Sequence, residues 1–207
     1  LPKTGVLAQV PVLFLLHGRA AKAETIFSIE GLLDPSFHVI SIRATYDSPK
    51  GEYEWFLPYD YSNPIETFTE DRFAESEEIL TKQIEAMVAE KEISNDRLFL
   101  SGFSQGGAMC HILSLRGILK PKGVIPMSGF FPRPVTHWPL PSSLPSYLIT
   151  HGTRDEVLPT SESKVAVEFY KEKNAEVEYY EYNGRHKMTI PLVKKINEWV
   201  LGKRDMV

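Results

Sequence analysis

Val12 to Leu16 reads VLFLL, five apolar residues with no polar position between them. A strand with one wet face alternates apolar and polar residues, because successive side chains point to opposite sides. An unbroken apolar run has no wet face. It predicts a strand covered on both sides, as in a parallel sheet. Gly123 to Met127 and Tyr147 to Thr150 read as further buried strands, and His38 to Arg43 and Arg97 to Leu100 as shorter ones. Val177 to Tyr182 alternates and predicts a strand. Between these runs the period changes to that of a helix. Asp71 to Ile93 puts Phe73, Leu80, Ile84, Met87 and Val88 on one stripe, and Glu75, Glu77, Glu78, Lys82, Glu85 and Glu90 on the wet face. Gly106 to Leu115 predicts a short helix, and Ser161 to Lys173 another with Val165, Val167, Phe169 and Tyr170 turned inward or partly so. Leu192, Val193, Ile196, Trp199 and Val200 carry the last helix, with Pro191 in its first turn. Strands alternating with helices predict an α/β fold, a mostly parallel central sheet with helices on both faces.

The chain has 207 residues, with no internal repeat, linker or low-complexity stretch, so one domain spanning 1–207 is expected. A net charge of −4 supplies no general field for a phosphate backbone, which argues against nucleic acid as a partner. No apolar run approaches the ~20 residues of a membrane span, so no integral membrane segment is expected. Cys110 is the single cysteine and cannot close an internal disulfide, which favours a reducing compartment; cytoplasm is the expected location. No asparagine heads a glycosylation triplet. Leu1-Pro2-Lys3-Thr4-Gly5 spells a cell-wall sorting pentapeptide but lacks the apolar span that must follow one, and is read as coincidence.

Gly102-Phe103-Ser104-Gln105-Gly106 fits G-x-S-x-G, with an apolar run before it and small residues, Gly106, Gly107 and Ala108, after it. So tight a strand-to-helix turn forces the central residue into a strained backbone, and the flanking glycines let strand and helix meet without Cβ clashes. The turn raises the serine hydroxyl to the end of the sheet, where open α/β sheets bind ligands. A hydroxyl is a weak nucleophile at neutral pH and needs a base oriented by a third group, in the chain order Ser, Asp, His. After Ser104 the aspartates are Asp155, in the loop beyond Tyr147 to Thr150, and Asp205 near the last residue; Glu156 is a neighbouring rival. Among six histidines, His17 and His151 sit at strand ends and suit hydrogen bonds to nearby backbone; His38 begins a strand; His111 lies on the helix after the turn and points away. His137 is an open rival. His186 follows the last strand and the turn Asn183-Gly184-Arg185, and is the preferred base.

In order along the chain stand Leu16-His17-Gly18, Trp55-Phe56, Gly102-Phe103-Ser104-Gln105-Gly106-Gly107, His151-Gly152-x-x-Asp155-x-Val157-x-Pro159 and Gly184-x-His186. Together they resemble the phospholipase/carboxylesterase family of α/β-hydrolases, a group with small carboxylesterases and acyl-protein thioesterases. The resemblance implies an α/β-hydrolase fold without a large cap domain. It implies Ser104 as nucleophile, Asp155 as acid and His186 as base, with the backbone N–H groups of Arg19 and Gln105 as the oxyanion hole and no cofactor. The family usually reads His-Gly-x-Gly where this chain has His17-Gly18-Arg19-Ala20, so a cation stands beside the site. The strand that precedes Val12 looks short or missing.

Two loops stand out. Residues 46–69 hold seven aromatics in 24 residues, against 11% in the whole chain, and residues 131–145 hold five prolines. Each reads equally as a crossover packed by its own side chains or as a wall over a pocket. Trp55, Phe56, Phe130, Leu158 and Met188 are the candidate substrate contacts. There is no Cys-x-x-Cys, His-x-His or His-Glu-x-x-His, so no metal is expected. The expected function is a serine carboxylesterase acting on small-molecule esters of small to medium acyl groups. Thioester or lysophospholipid hydrolysis is the rival on the same residues, and a non-catalytic ligand-binding relative is the rival of another class.

Overall fold

The computed structural model describes residues 9–57, 65 and 68–204. The elements run β1 (Val12–Leu16), α1 (Ala23–Phe27), β2 (His38–Ile42), β3 (Tyr46–Asp47), β4 (Tyr53–Glu54), α2 (Ala74–Glu90), β5 (Leu98–Phe103), α3 (Gln105–Arg116), β6 (Gly123–Met127), β7 (Ser146–Gly152), α4 (Thr160–Glu172), β8 (Val177–Tyr182) and α5 (Ile190–Arg204). Six strands form one sheet in the order β2-β1-β5-β6-β7-β8, and every described pairing in it is parallel. Among the described residues the path runs from β1 outward to β2, then crosses back to the other side of β1. That reversal makes β1 and β5 the switch point, with Leu16 level with Gly102 at their C-terminal ends.

The apolar run of β1 divides as its period demands. Val12, Phe14 and Leu16 join one core with Leu80 and Ile84 of α2, Ala108 and Ile112 of α3, and Ala166 and Tyr170 of α4. Leu13 and Leu15 join the opposite core with Ile26 of α1 and Leu192, Ile196 and Val200 of α5. Both faces are therefore covered, as the unbroken run requires. Among the described residues no helical insertion interrupts the strand–helix alternation. The segment before β1 that bears on a preceding strand, the pentapeptide at 1–5, and Asp205 lie outside the described residues.

The strand expected at 97–100, running into Gly102-Phe103-Ser104, is β5, which spans Leu98–Phe103 and enters the G-x-S-x-G turn itself. Two expectations need correction. Glu77 is not on a wet face. It is buried and takes two hydrogen bonds of 2.8 Å from Arg116, whose guanidinium also lies 3.5 Å over the Trp138 ring. A bidentate arginine satisfies both carboxylate oxygens, which is what permits the charge to leave water. Val165 faces solvent, while its helix buries Ala166, Val167 and Tyr170.

Under α3 lies a buried polar chain. His111 Nδ1 is 2.8 Å from the Tyr170 hydroxyl, and the Tyr147 hydroxyl donates to Ser114 Oγ at 3.1 Å. The Tyr147 and Tyr170 rings stack with centroids 3.7 Å apart. Burial pushes the His111 pKa down to about 3. At any pH between the ordinary histidine value of 6.5 and about 3, the unfolded chain binds a proton that the folded chain refuses. Stability therefore falls as the pH drops through that window, by about 1.4 kcal/mol per pH unit from this group. Urea unfolding of wild type and His111→Asn at several pH values between 6.5 and 4 should show the variant's slope shallower by about that amount. Parallel slopes would mean that the imidazole is protonated in the folded state.

Candidate active site

Ser104 caps α3 with φ 54° and ψ −115°, a left-handed backbone rarely adopted by a residue with a Cβ. Its N–H donates to the Met127 carbonyl at 2.8 Å, and its own carbonyl accepts from Ala108. The two flanking glycines make this turn feasible. A Cβ on Gly102 would stand 2.2 Å from the Gly106 carbonyl oxygen, and one on Gly106 would stand 2.2 Å from that of Leu16. The turn therefore jams strand β5, the first turn of α3 and the end of β1 into mutual backbone contact.

The His186 ring bridges the other two candidates. Its Nε2 is 2.9 Å from Ser104 Oγ and its Nδ1 is 2.6 Å from Asp155 Oδ2. Asp155 has no exposed side-chain surface, and its Oδ1 accepts the N–H groups of Val157 and Leu158, each at 2.9 Å. Burial works against charge on this carboxyl, but the bonds from Leu158, His186 and Val157 outweigh it and hold its pKa below the ordinary value. Glu156, the rival acid, pairs instead with Arg185 across exposed surface. His137, the rival base, ends a 3-10 turn in the proline-rich loop.

The acid and base loops are joined backbone to backbone. Thr153 N–H donates to the Tyr182 carbonyl and Arg154 N–H to the Gly184 carbonyl, both at 2.9 Å. The Tyr182 hydroxyl, buried, donates to the carbonyl of Lys187, next to His186. His151 bonds Ser163 Oγ at 2.6 Å and the Leu158 carbonyl at 3.0 Å, tying the acid loop to α4. As expected of strand-end histidines, His151 and His17 are spent on nearby structure.

Gln105 supplies a contact that the motif alone does not announce. Its side-chain Oε1 accepts the Trp55 N–H at 2.7 Å, and its Nε2 donates to the Phe56 carbonyl at 2.8 Å. Trp55 in turn donates its indole N–H to the His17 carbonyl at 2.7 Å. Trp55 is 1% exposed, so it serves as a support behind the loop after β1, not as a wall in front of it. Phe56 and Phe130 are likewise buried, edge to face at 6.0 Å and both against Phe68. Leu158 is buried among the core on the same side of the sheet. Met188 is half-buried and packs on the opposite core. Within residues 46–69 Trp55, Phe56 and Phe68 thus pack in the core; Tyr59 and Tyr61 lie outside the described residues. That crossover also contains a β3–β4 hairpin that the sequence pattern did not reveal.

Among the described residues no group of three or more His, Cys, Asp or Glu is arranged to hold a metal ion, and no helix is long and apolar enough to cross a membrane.

The sequence model described as phospholipase/carboxylesterase matches residues 6–201. The chain belongs to the phospholipase/carboxylesterase family. Acyl-protein thioesterase 1 of Debaryomyces hansenii is 29% identical over 143 residues, 63% of this chain, and the match spans 58% of that protein's length. Esterase PE8 superposes with a TM-score of 0.87 at 19% identity, covering 98% of this chain and 96% of its own. The Bacillus cereus carboxylesterase gives 0.82 at 21%, covering 97% and 92%. At these identities the two structures speak for the fold.

Family membership sharpens one feature. The family pattern has glycine where this chain has Ala20, and Ala20 sits at φ 51°. A Cβ in that region costs on the order of 1 kcal/mol. Ala20→Gly should therefore raise stability by about 1 kcal/mol in urea titration. A loss of stability would show that the Ala20 methyl is held by packing that offsets the strain.

Proposed function

We propose that this chain is a serine carboxylesterase, hydrolysing carboxylic esters of small to medium acyl groups through an acyl-enzyme. The observation that carries the reading is His186 held between Ser104 Oγ and Asp155 Oδ2, with the serine on a strained turn at the sheet's switch point. Asp155 accepts a hydrogen bond from the His186 Nδ1–H and so leaves the Nε2 lone pair facing the serine. Ser104 Oγ attacks the ester carbonyl while its proton moves to His186 Nε2. The carbonyl oxygen, now anionic, takes the N–H groups of Gln105 and Arg19. Gln105 opens α3, where the first N–H groups have no partner within the helix and the dipole favours negative charge. The tetrahedral centre collapses, the ester oxygen leaves with the proton from His186, and the acyl group stays on Ser104. Water then gives its proton to His186 and its oxygen to the acyl carbon; the acid departs and Ser104 regains its proton.

The same residues serve a thioester, since sulfur leaves more readily than oxygen, and the similarity to a protein named acyl-protein thioesterase makes that the second reading. Of the five pocket candidates Met188 keeps the most exposure and is carried forward as the acyl contact. Cys110 is fully buried and burial pushes its thiol pKa far up, so it is no rival nucleophile and suits a reducing, cytoplasmic setting. A single domain over 1–207 completes the proposal.

A fluorophosphonate probe should give one adduct, on Ser104, and Ser104→Ala should lose both the adduct and p-nitrophenyl ester hydrolysis. His186→Ala should cost orders of magnitude in kcat/KM, and His137→Ala little. No adduct on folded protein would favour the ligand-binding relative instead. For the oxyanion hole, Arg19→Ala keeps the backbone donor and should keep most activity on a neutral ester. Arg19→Pro removes it and should lose roughly 10²–10³ in kcat, with folding checked by circular dichroism. A folded but inactive Arg19→Ala would move the oxyanion hole elsewhere.

A further inference from the structure

His17 has no exposed surface, and both of its ring nitrogens are engaged by main chain. Nε2 is 3.0 Å from the Ala44 N–H, and Nδ1 is 2.7 Å from the carbonyl oxygen of Gly18, the next residue. These partners leave one tautomer. An amide N–H has only a proton to give, so Nε2 presents its lone pair. A carbonyl has only lone pairs, so Nδ1 carries the proton and donates it. Burial pulls the imidazole pKa below the ordinary value, against the opposing pull of the Gly18 carbonyl and of Glu24, and the ring stays neutral.

The Gly18 carbonyl and the Arg19 N–H belong to one planar trans peptide, where they point in opposite directions. A bond that fixes the carbonyl toward the His17 ring fixes the N–H away from it. Gly18 itself lies against the turn: a methyl group on it would stand 3.5 Å from Ser104 Cβ. The preceding peptide is held as well, since the His17 carbonyl accepts the Trp55 indole N–H at 2.7 Å. Two successive peptide planes are thus clamped from behind by two buried rings, whose centroids are 5.2 Å apart.

We infer that His17 is the positioning residue of the oxyanion loop, a neutral imidazole whose Nδ1–H holds the Gly18 carbonyl and so aims the Arg19 N–H at the charge that develops beside Ser104. This rests on the serine-esterase reading and on Arg19 as an oxyanion donor. A donor already aimed needs no reorganisation as the charge forms, so the bond acts on kcat and not on substrate binding.

Asparagine and glutamine divide the two functions of the ring. The amide nitrogen of asparagine reaches the Nδ1 position and keeps a donor; the amide oxygen of glutamine reaches the Nε2 position and keeps only the acceptor for Ala44. On the full chain with a p-nitrophenyl ester, His17→Asn should retain kcat within about tenfold. His17→Gln and His17→Phe should lose about 10²-fold at nearly unchanged KM. Loss of Tm alone, with equal kcat in the Asn and Gln variants, would overturn the inference. Should the variants not fold, ¹⁵N NMR of the wild-type imidazoles at neutral pH decides: a proton on His17 Nδ1 supports the clamp, and one on Nε2 overturns it. The two levels separate cleanly. A wild type without hydrolysis or a Ser104 adduct brings down the esterase reading, while an active wild type matched by an equally active His17→Gln brings down only the clamp.

Discussion

Gly106 sets the first turn of α3 against the last peptide of β1, with no room for even a methyl group between them. The other geometry at the switch point follows from this approach. Because α3 starts there, its N-terminal amides open beside the loop that leaves β1. Because β5 must turn sharply to feed α3, Ser104 is driven into a left-handed conformation and its hydroxyl stands clear of the sheet. The sheet supplies the force that sustains that strain. Residues 98–102 of β5 are buried between neighbours on both sides, and one strained residue is a small cost beside that burial.

Around this junction the chain uses side chains as splints for main chain. Gln105 pairs with the backbone of Trp55 and Phe56 as a neighbouring strand would, and Trp55 passes the support to the loop after β1. That loop is also bridged to the hairpin by reciprocal bonds between Ala21 and Tyr53. Behind them Phe56, Phe68, Phe73 and Phe130 pack edge to face or stacked, a filling that holds the crossover without regular structure. The aromatic richness of residues 46–69 is thus, in its described part, the core of a long connection.

The central strands were readable because burial on both faces marks every position alike. Val12–Leu16 and Gly123–Met127 have the limits that their unbroken hydropathy predicts, and Val177–Tyr182, at the end of the sheet, has the limits of its alternation. The turn at Ser104 was readable because its chemistry is local: two glycines and a serine within five residues. What escaped was set by partners far away in sequence. Glu77 carries no sign that Arg116, 39 residues on, will accompany it inward. The Gln105 amide reads as an ordinary helix start until Trp55, 50 residues earlier, is brought against it. Of the five candidate substrate contacts Trp55, Phe56, Phe130 and Leu158 are buried, a state that hydropathy alone does not distinguish from the lining of a pocket.

The loop that carries His186 hangs from β8, which among the described residues ends the sheet, with β7 alone beside it and much of its surface in water. Terminal strands are where cooperative opening of a native sheet begins. The acid loop issues from β7, one strand further in, and the nucleophile turn from β5, nearer the middle. Excursions that fray β8 withdraw His186 while Ser104 and the amides around it keep their native arrangement. In such partly opened molecules Ser104, Asp155 and His186 would part company in order of their distance from the sheet centre. On the esterase reading proposed above, hydrolysis would then report on the integrity of one terminal strand, and its loss on warming would precede the collapse of the core.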